Sequence, residues 1–130
     1  MEVWQGDFFD LSTTELKCCD ALWDRAALIA LPAALRAAYV AHCAALLAPG
    51  ARGLLVTLDY DPAEHDGPPF AVPPQEVEAL YAPYFEIEGL VAPHAVEPSP
   101  HLRERGLRTV REAVWRVTRR SDVRVNGSDA

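Results

Sequence analysis

The amino-acid sequence predicts a single α/β domain in which strands and helices alternate along the chain and form one sheet. Its 130 residues are close to the commonest domain size, and 50% of them are hydrophobic and 24% charged. This composition excludes a disordered chain, a collagen-like repeat and a disulfide scaffold. Strands that alternate with helices favour a sheet with βαβ crossovers.

The first half of the chain predicts two short strands and one clear helix. Residues 2–5 predict a strand, residues 10–17 a short helix or turn, and residues 20–24 a second strand. Apolar residues then recur at helical spacing over 32–47. We expect the pair Pro49-Gly50 to end this helix.

The middle of the chain predicts a buried strand, a long loop and a second helix. Residues 53–58 are almost continuously apolar, which is typical of a strand covered on both faces of a parallel sheet. Residues 59–72 hold four acidic residues, one histidine and three prolines, and they predict a loop. Two prolines then open a helix near 74–82.

The last third predicts two further strands. Apolar and acidic residues alternate over 85–91, which indicates a strand exposed on one side. Residues 92–107 are expected to form a loop, and residues 109–118 the last strand. We therefore expect a domain over 1–118 and a polar, disordered tail over 119–130.

Charge and cysteine content exclude several classes of partner. Residues 1–102 hold 15 acidic and 4 basic side chains, whereas residues 103–130 hold 4 acidic and 8 basic ones. The acidic bulk disfavours nucleic acid, and no apolar run reaches the roughly 18 residues that a membrane span needs. Cysteines at 18, 19 and 43 lack metal spacing and favour reduced thiols in a cytoplasmic protein without a leader.

Ligands of open α/β sheets bind beyond the carboxyl ends of the strands, which directs attention to the segments there. Asp7 and Phe8 suit an adenine, because the carboxylate accepts a hydrogen bond from the amino group of the base and the ring covers its face. The alternative is a Gly-Asp turn before a core phenylalanine. Asp24-Arg25 places a guanidinium where it orients an anion or thiolate, or where it forms a structural salt bridge.

Two other clusters predict no chemistry of their own. The acidic loop over 59–66 lacks the glycine of a calcium loop and the histidine or cysteine spacing of a zinc site, so we expect no metal. His42 and Cys43 are neighbours on a helix and point about 100° apart, which indicates helix packing rather than a nucleophile pair. The seven glycines form no Gly-x-Gly-x-x-Gly or Walker loop.

Four segments together resemble thiopurine S-methyltransferase over about residues 2–118. They are Trp4–Leu11, Asp20–Leu31, Asp59–Pro62 and Gly67–Pro73. The resemblance implies a Rossmann-like class I methyltransferase fold with the strand order 3-2-1-4-5-7-6. It further implies S-adenosylmethionine as the cofactor and a small sulfur nucleophile, or a related chalcogen compound, as the methyl acceptor.

The resemblance also assigns roles to residues of this chain. Asp7 and Phe8 are implied to line the adenine pocket, and Arg25 to lie between cofactor and acceptor with Asp24 orienting it. Further residues are implied on the acceptor side, namely Pro68, Pro69 and Phe70 as a wall and Arg103 or Arg105 as a second arginine.

The sequence departs from the family at its beginning. The first two strands of the family fold and the glycine-rich cofactor loop have no counterpart, so we expect the carboxyl-terminal portion of the sheet, with the strand near Leu22 at an apolar edge. We expect such a truncated chain to bind the cofactor weakly or not at all, and the sequence leaves open whether the chain alone is active. The alternative function is a non-catalytic remnant that acts as an interaction module and self-associates through that edge.

Overall fold

The computed structural model describes residues 1–123 and confirms an α/β fold with one four-stranded sheet. The strand order is β1-β2-β4-β3, in which β1 and β2 are parallel and β4 is antiparallel to both of its neighbours. The strands are β1 Cys19–Asp24, β2 Leu47–Asp59, β3 Phe85–Val96 and β4 Val110–Arg119. The helices are α1 Thr13–Leu16, α2 Ala33–Leu46, α3 Pro74–Tyr81 and α4 Pro100–Glu104, with 3-10 turns at Phe8–Asp10 and Leu28–Ala30.

Several predicted boundaries were wrong. Residues 2–5 form no strand and are exposed, because no strand of the sheet lies beside them to accept their backbone hydrogen bonds. Pro49-Gly50 does not separate helix from strand, since α2 ends at Leu46 and β2 begins at the next residue. Residues 92–107 are not a continuous loop, because β3 extends to Val96 and residues Pro100–Glu104 form α4.

The hydrophobic core lies between one face of the sheet and the helices α2 and α3. Val40 of α2, Val77 of α3, Leu55 of β2 and Val117 of β4 are fully buried in one cluster. Trp115 of β4 is buried in the same cluster and donates its indole N–H to the buried Thr57 hydroxyl over 2.9 Å. None of the helices in residues 1–123 has the length and apolarity to span a bilayer.

The end of β4 is fastened into the core by a buried arginine. The sequence predicts a polar tail from residue 119, yet Arg119 is the last residue of β4 and is only 3% exposed. Its Nε donates to the Ala44 carbonyl over 2.8 Å, at the end of α2, and its Nη1 donates to the Val123 carbonyl over 3.0 Å. The expected disorder of 124–130 lies outside the described residues.

A buried tyrosine hydroxyl yields the first testable prediction. Tyr81 is fully buried, and its hydroxyl meets no hydrogen-bonding group among residues 1–123. Burial raises the pKa of this hydroxyl, so it stays protonated and uncharged. Tyr81→Phe should leave the free energy of unfolding unchanged or raise it by about 1 kcal/mol, because an unsatisfied polar atom is removed.

Urea unfolding of Tyr81→Phe beside Tyr60→Phe makes the comparison. Tyr60 is also buried, but its hydroxyl donates to the Pro69 carbonyl over 2.6 Å. Tyr60→Phe should therefore lower the free energy of unfolding by about 0.5–1.5 kcal/mol. An equal decrease in the free energy of unfolding of both variants would show that the Tyr81 hydroxyl forms a hydrogen bond.

Candidate active site

The carboxylate of Asp24 is the structural centre of the candidate site. Asp24 ends β1 and is 2% exposed. Its Oδ1 accepts from the backbone N–H groups of Ala27, over 3.0 Å, and Leu28, over 3.3 Å, while its Oδ2 accepts from the Tyr39 hydroxyl over 2.6 Å. The three hydrogen bonds satisfy a buried charge and close the turn that follows β1.

Arg25 lies in that turn with its side chain exposed. The sequence left open a salt bridge to Asp24, but the oxygens of Asp24 are occupied by the turn and by Tyr39. Within residues 1–123, the Arg25 guanidinium forms neither a hydrogen bond nor an ion pair. Asp24 therefore fixes the backbone that carries Arg25 and does not hold the guanidinium itself.

Tyr39 of α2 joins this turn to the segment that holds Asp7 and Phe8. Burial raises the Tyr39 pKa and the nearby Asp24 carboxylate adds to this rise, so the Tyr39 hydroxyl remains a donor at physiological pH. The Phe8 ring packs against Tyr39 at a centroid distance of 5.5 Å and edge-on against His42 at 4.8 Å. Both contacts fasten the 3-10 turn at Phe8–Asp10 to α2.

The predicted adenine residues border a solvent-facing cavity. Asp7 caps the 3-10 turn through Oδ1, which accepts from the Phe9 N–H over 2.9 Å. Phe8 is 37% exposed, so it is not the core phenylalanine of the alternative interpretation. Together with Trp4, these residues line a cavity of about 290 Å³.

The proline-rich segment predicted on the acceptor side is held from several directions. The Phe70 N–H donates to the Ile29 carbonyl over 2.6 Å, in the 3-10 turn that follows β1. The Tyr60 hydroxyl donates to the Pro69 carbonyl, and His65 Nε2 lies 3.4 Å from the Pro68 carbonyl. The structure thus brings the segment beside the turn of Arg25.

Gly67 is required for the shape of this segment. Its φ is +91°, a left-handed conformation that side chains disfavour. A Cβ at this position would also lie 2.3 Å from Cδ1 of Phe70. The glycine therefore allows the Phe70 ring to fold back against the loop.

Arg36 is a second buried arginine that the sequence analysis missed. It is 4% exposed on α2, its Nη1 pairs with Glu76 over 2.7 Å, and its Cζ lies 5.5 Å from the centroid of the Phe70 ring. Arg36 is three residues before Tyr39, so both lie on the same face of α2. This three-residue spacing from Tyr39, which lies on the buried face of α2, is the sequence signal that indicates a buried position for Arg36.

The two candidate arginines of the second loop differ in their partners. Arg103 of α4 forms an ion pair with Glu97. The Arg105 guanidinium has no such partner within residues 1–123, and it lines a groove of about 340 Å³ with residues 63–66. Arg105 is accordingly the better candidate for contact with a ligand.

The acidic loop serves the structure. Glu64 Oε1 accepts from the backbone N–H of Arg108 over 2.9 Å, and Asp59 pairs with Arg111 over 3.3 Å. Among residues 1–123, no group of three or more histidine, cysteine, aspartate or glutamate side chains is placed to hold a metal ion.

The sheet and this site define the protein class. The order β1-β2-β4-β3, with β4 antiparallel, is that of strands 4-5-7-6 of a class I methyltransferase sheet. A family model described as thiopurine S-methyltransferase matches residues 1–120. The chain belongs to the thiopurine S-methyltransferase family, which confirms the resemblance.

Similar proteins cover this chain almost completely. It is 47% identical over 120 residues to thiopurine S-methyltransferase of Pseudomonas fluorescens (strain SBW25), and 45% identical over 120 residues to that of Azotobacter vinelandii. Each match covers 92% of this chain and 55% of the relative, so the chain spans about half the length of the curated relatives it matches.

The chain is also similar in structure to a methyltransferase of known structure. That methyltransferase is Burkholderia thailandensis 1,6-didemethyltoxoflavin-N1-methyltransferase with bound 1,6-didemethyltoxoflavin and S-adenosylhomocysteine. The match has a TM-score of 0.48 and 22% identity, and it covers 78% of this chain and 44% of that chain.

The free thiols of the chain provide a second prediction. Burial raises the pKa of Cys43 to about 12, whereas Cys18 is exposed. At pH 8, a disulfide reagent should label Cys18 rapidly and Cys43 only after unfolding. The reason is that only the thiolate form reacts, and the buried Cys43 stays protonated. Mass spectrometry of the labelled protein gives the order, with Cys18→Ser as the control that removes the fast site.

The same shift predicts alkaline sensitivity with a defined sign. The Cys43 pKa is higher in the folded state, so its contribution to stability is complete below about pH 9 and lost as the pH rises towards 12. Equal labelling rates of Cys43 and Cys18 in the folded protein would contradict the buried placement.

Proposed function

We propose that this chain provides the acceptor side and part of the adenine pocket of an S-adenosylmethionine-dependent methyltransferase that acts on a sulfur nucleophile. The observation that carries the proposal is the exposed Arg25 guanidinium, which lacks a partner within residues 1–123 although its turn is rigidly fixed by Asp24. An unpaired cation on a fixed backbone suits recognition of an anionic group. Family membership supports methyl transfer as the reaction.

The residues near Phe8 fit the adenine end of the proposed cofactor. The partly exposed ring offers an aromatic face, and Asp7 Oδ2 remains available to accept from an amino group. The cavity that these residues line is open to solvent. S-adenosylmethionine, when bound, supplies an electrophilic methyl group.

Arg25 acts on the acceptor in this proposal. A free thiol has a pKa near 8.5, and a guanidinium beside it stabilises the thiolate, which is the nucleophilic form. Phe70 and the adjacent prolines exclude water from the acceptor, and Arg105 offers a second positive charge. The acceptor is thus a small thiol or a related chalcogen compound, and three free cysteines support a reducing, cytoplasmic setting.

Substitution of Arg25 tests the proposal in a fusion, defined as this chain joined to the part of the Pseudomonas fluorescens relative that the match leaves uncovered. Arg25→Ala should lower kcat/KM for methyl transfer to a thiol by about tenfold to hundredfold, the equivalent of about 1.5–3 kcal/mol. Arg25→Lys should recover only part of the loss, because an ammonium lacks the planar fork.

Arg52→Ala is the matched control for this experiment. Arg52 is also exposed and has no ion-pair partner within residues 1–123, but it pairs in register with Ala21, towards the amino end of β1. Its replacement should leave kcat/KM within about twofold of the parent. If Arg25→Ala lowers the melting temperature while kcat/KM stays unchanged, Arg25 is a structural residue.

A second candidate function is a non-catalytic interaction module that self-associates through β1. β1 lies at the edge of the sheet, and Trp23, 63% exposed, pairs in register with Leu54, 40% exposed. An apolar sheet edge offers unpaired backbone groups to a second strand.

Sedimentation velocity at increasing protein concentration tests this alternative. Self-association through β1 should be weakened by Trp23→Lys and retained in Trp4→Lys, since Trp4 is 50% exposed but lies outside the sheet. A monomer at every concentration, or equal weakening in both variants, would exclude the module function through this edge.

A further inference from the structure

We propose that Tyr39 is a positioning residue for Arg25, acting through the buried carboxylate of Asp24. This inference rests on the proposed function of Arg25. It concerns a residue, Tyr39, that contacts neither the cofactor nor the acceptor in the proposed site. The Tyr39 hydroxyl donates to Asp24 Oδ2 over 2.6 Å, while Oδ1 of the same carboxylate holds the turn that carries Arg25.

The geometry makes the turn depend on Tyr39. With Tyr39 6% exposed and Asp24 2% exposed, water does not readily replace the hydroxyl. If the hydroxyl is removed, Oδ2 is left buried without a donor, and the carboxylate rotates towards solvent or another donor. Either movement takes Oδ1 away from the Ala27 and Leu28 N–H groups, which releases the turn.

The alignment of Arg25 consequently depends on a residue of a different element. Arg25 is exposed and has no contact of its own to define its direction within residues 1–123. The backbone on both sides of it is held by one carboxylate, since Asp24 precedes it and accepts from Ala27 behind it. A fixed backbone reduces the conformational freedom that the guanidinium must lose to meet an anion.

Tyr39 also links the two sides of the proposed site. Its ring packs against Phe8, whereas its hydroxyl holds Asp24. Tyr39→Phe keeps the ring and removes only the hydroxyl, so it separates support of Arg25 from support of the adenine side.

Amide hydrogen exchange of the chain itself tests the first step. In Tyr39→Phe, exchange at Ala27 and Leu28 should accelerate at least about tenfold more than exchange in β4. The control is Tyr60→Phe, which also loses a buried hydroxyl bond, to Pro69 over 2.6 Å, but should leave the ratio unchanged. Unchanged protection at Ala27 and Leu28 in Tyr39→Phe would overturn the proposal.

Kinetics of the fusion test the second step. Tyr39→Phe should lower kcat by about fivefold to tenfold while KM for S-adenosylmethionine stays within about twofold. Combined with Arg25→Ala, it should cause no further loss, because both variants remove the same contribution. If the two losses in kcat multiply in the double variant, Tyr39 has a structural role that is independent of Arg25.

The two steps separate the failure of this inference from the failure of the proposed function. If Arg25→Ala leaves methyl transfer unchanged, the function of Arg25 is wrong, even when Tyr39→Phe releases the turn. If Arg25→Ala lowers transfer but Tyr39→Phe changes neither exchange nor kcat, the role of Tyr39 alone is wrong.

Discussion

The arrangement of the site depends on one buried carboxylate. A charged group that is 2% exposed is tolerated only when its oxygens are fully bonded, and Asp24 accepts from two backbone N–H groups and one tyrosine hydroxyl. These bonds join the end of β1, the turn after it and helix α2. This arrangement fixes the position of Arg25, because the Arg25 side chain itself forms no hydrogen bond or ion pair within the described residues.

Helix α2 supports three of the four segments to which the family resemblance assigns ligand contacts. Tyr39 holds the turn of Arg25 and packs against Phe8, and Arg36, one turn earlier, lies against Phe70. The face of α2 that covers the sheet thus carries two polar side chains among its apolar ones. Their burial is tolerated because each is hydrogen-bonded, Arg36 to Glu76 and the Leu31 carbonyl.

Sequence reasoning reached the sheet, its edge strand and the two main helices, since periodicity and proline signals report on local structure and burial. It failed where long-range pairing decides the outcome. Residues 2–5 have a strand-like pattern but lack a neighbouring strand, whereas residues 92–96 become strand because they pair with β4. Asp24 was predicted to orient Arg25 directly, but spacing could not reveal that Tyr39, 15 residues away, takes its free oxygen.

The most direct test of this account is nuclear magnetic resonance of the Tyr39 hydroxyl proton in the unmodified chain. A donor held at 2.6 Å to a buried carboxylate should give a resolved, slowly exchanging signal at neutral pH, with nuclear Overhauser contacts to the amide of Leu28. A hydroxyl proton that exchanges with water too fast to observe, while the fold is intact, would show that Asp24 and Tyr39 are not joined and would contradict the account.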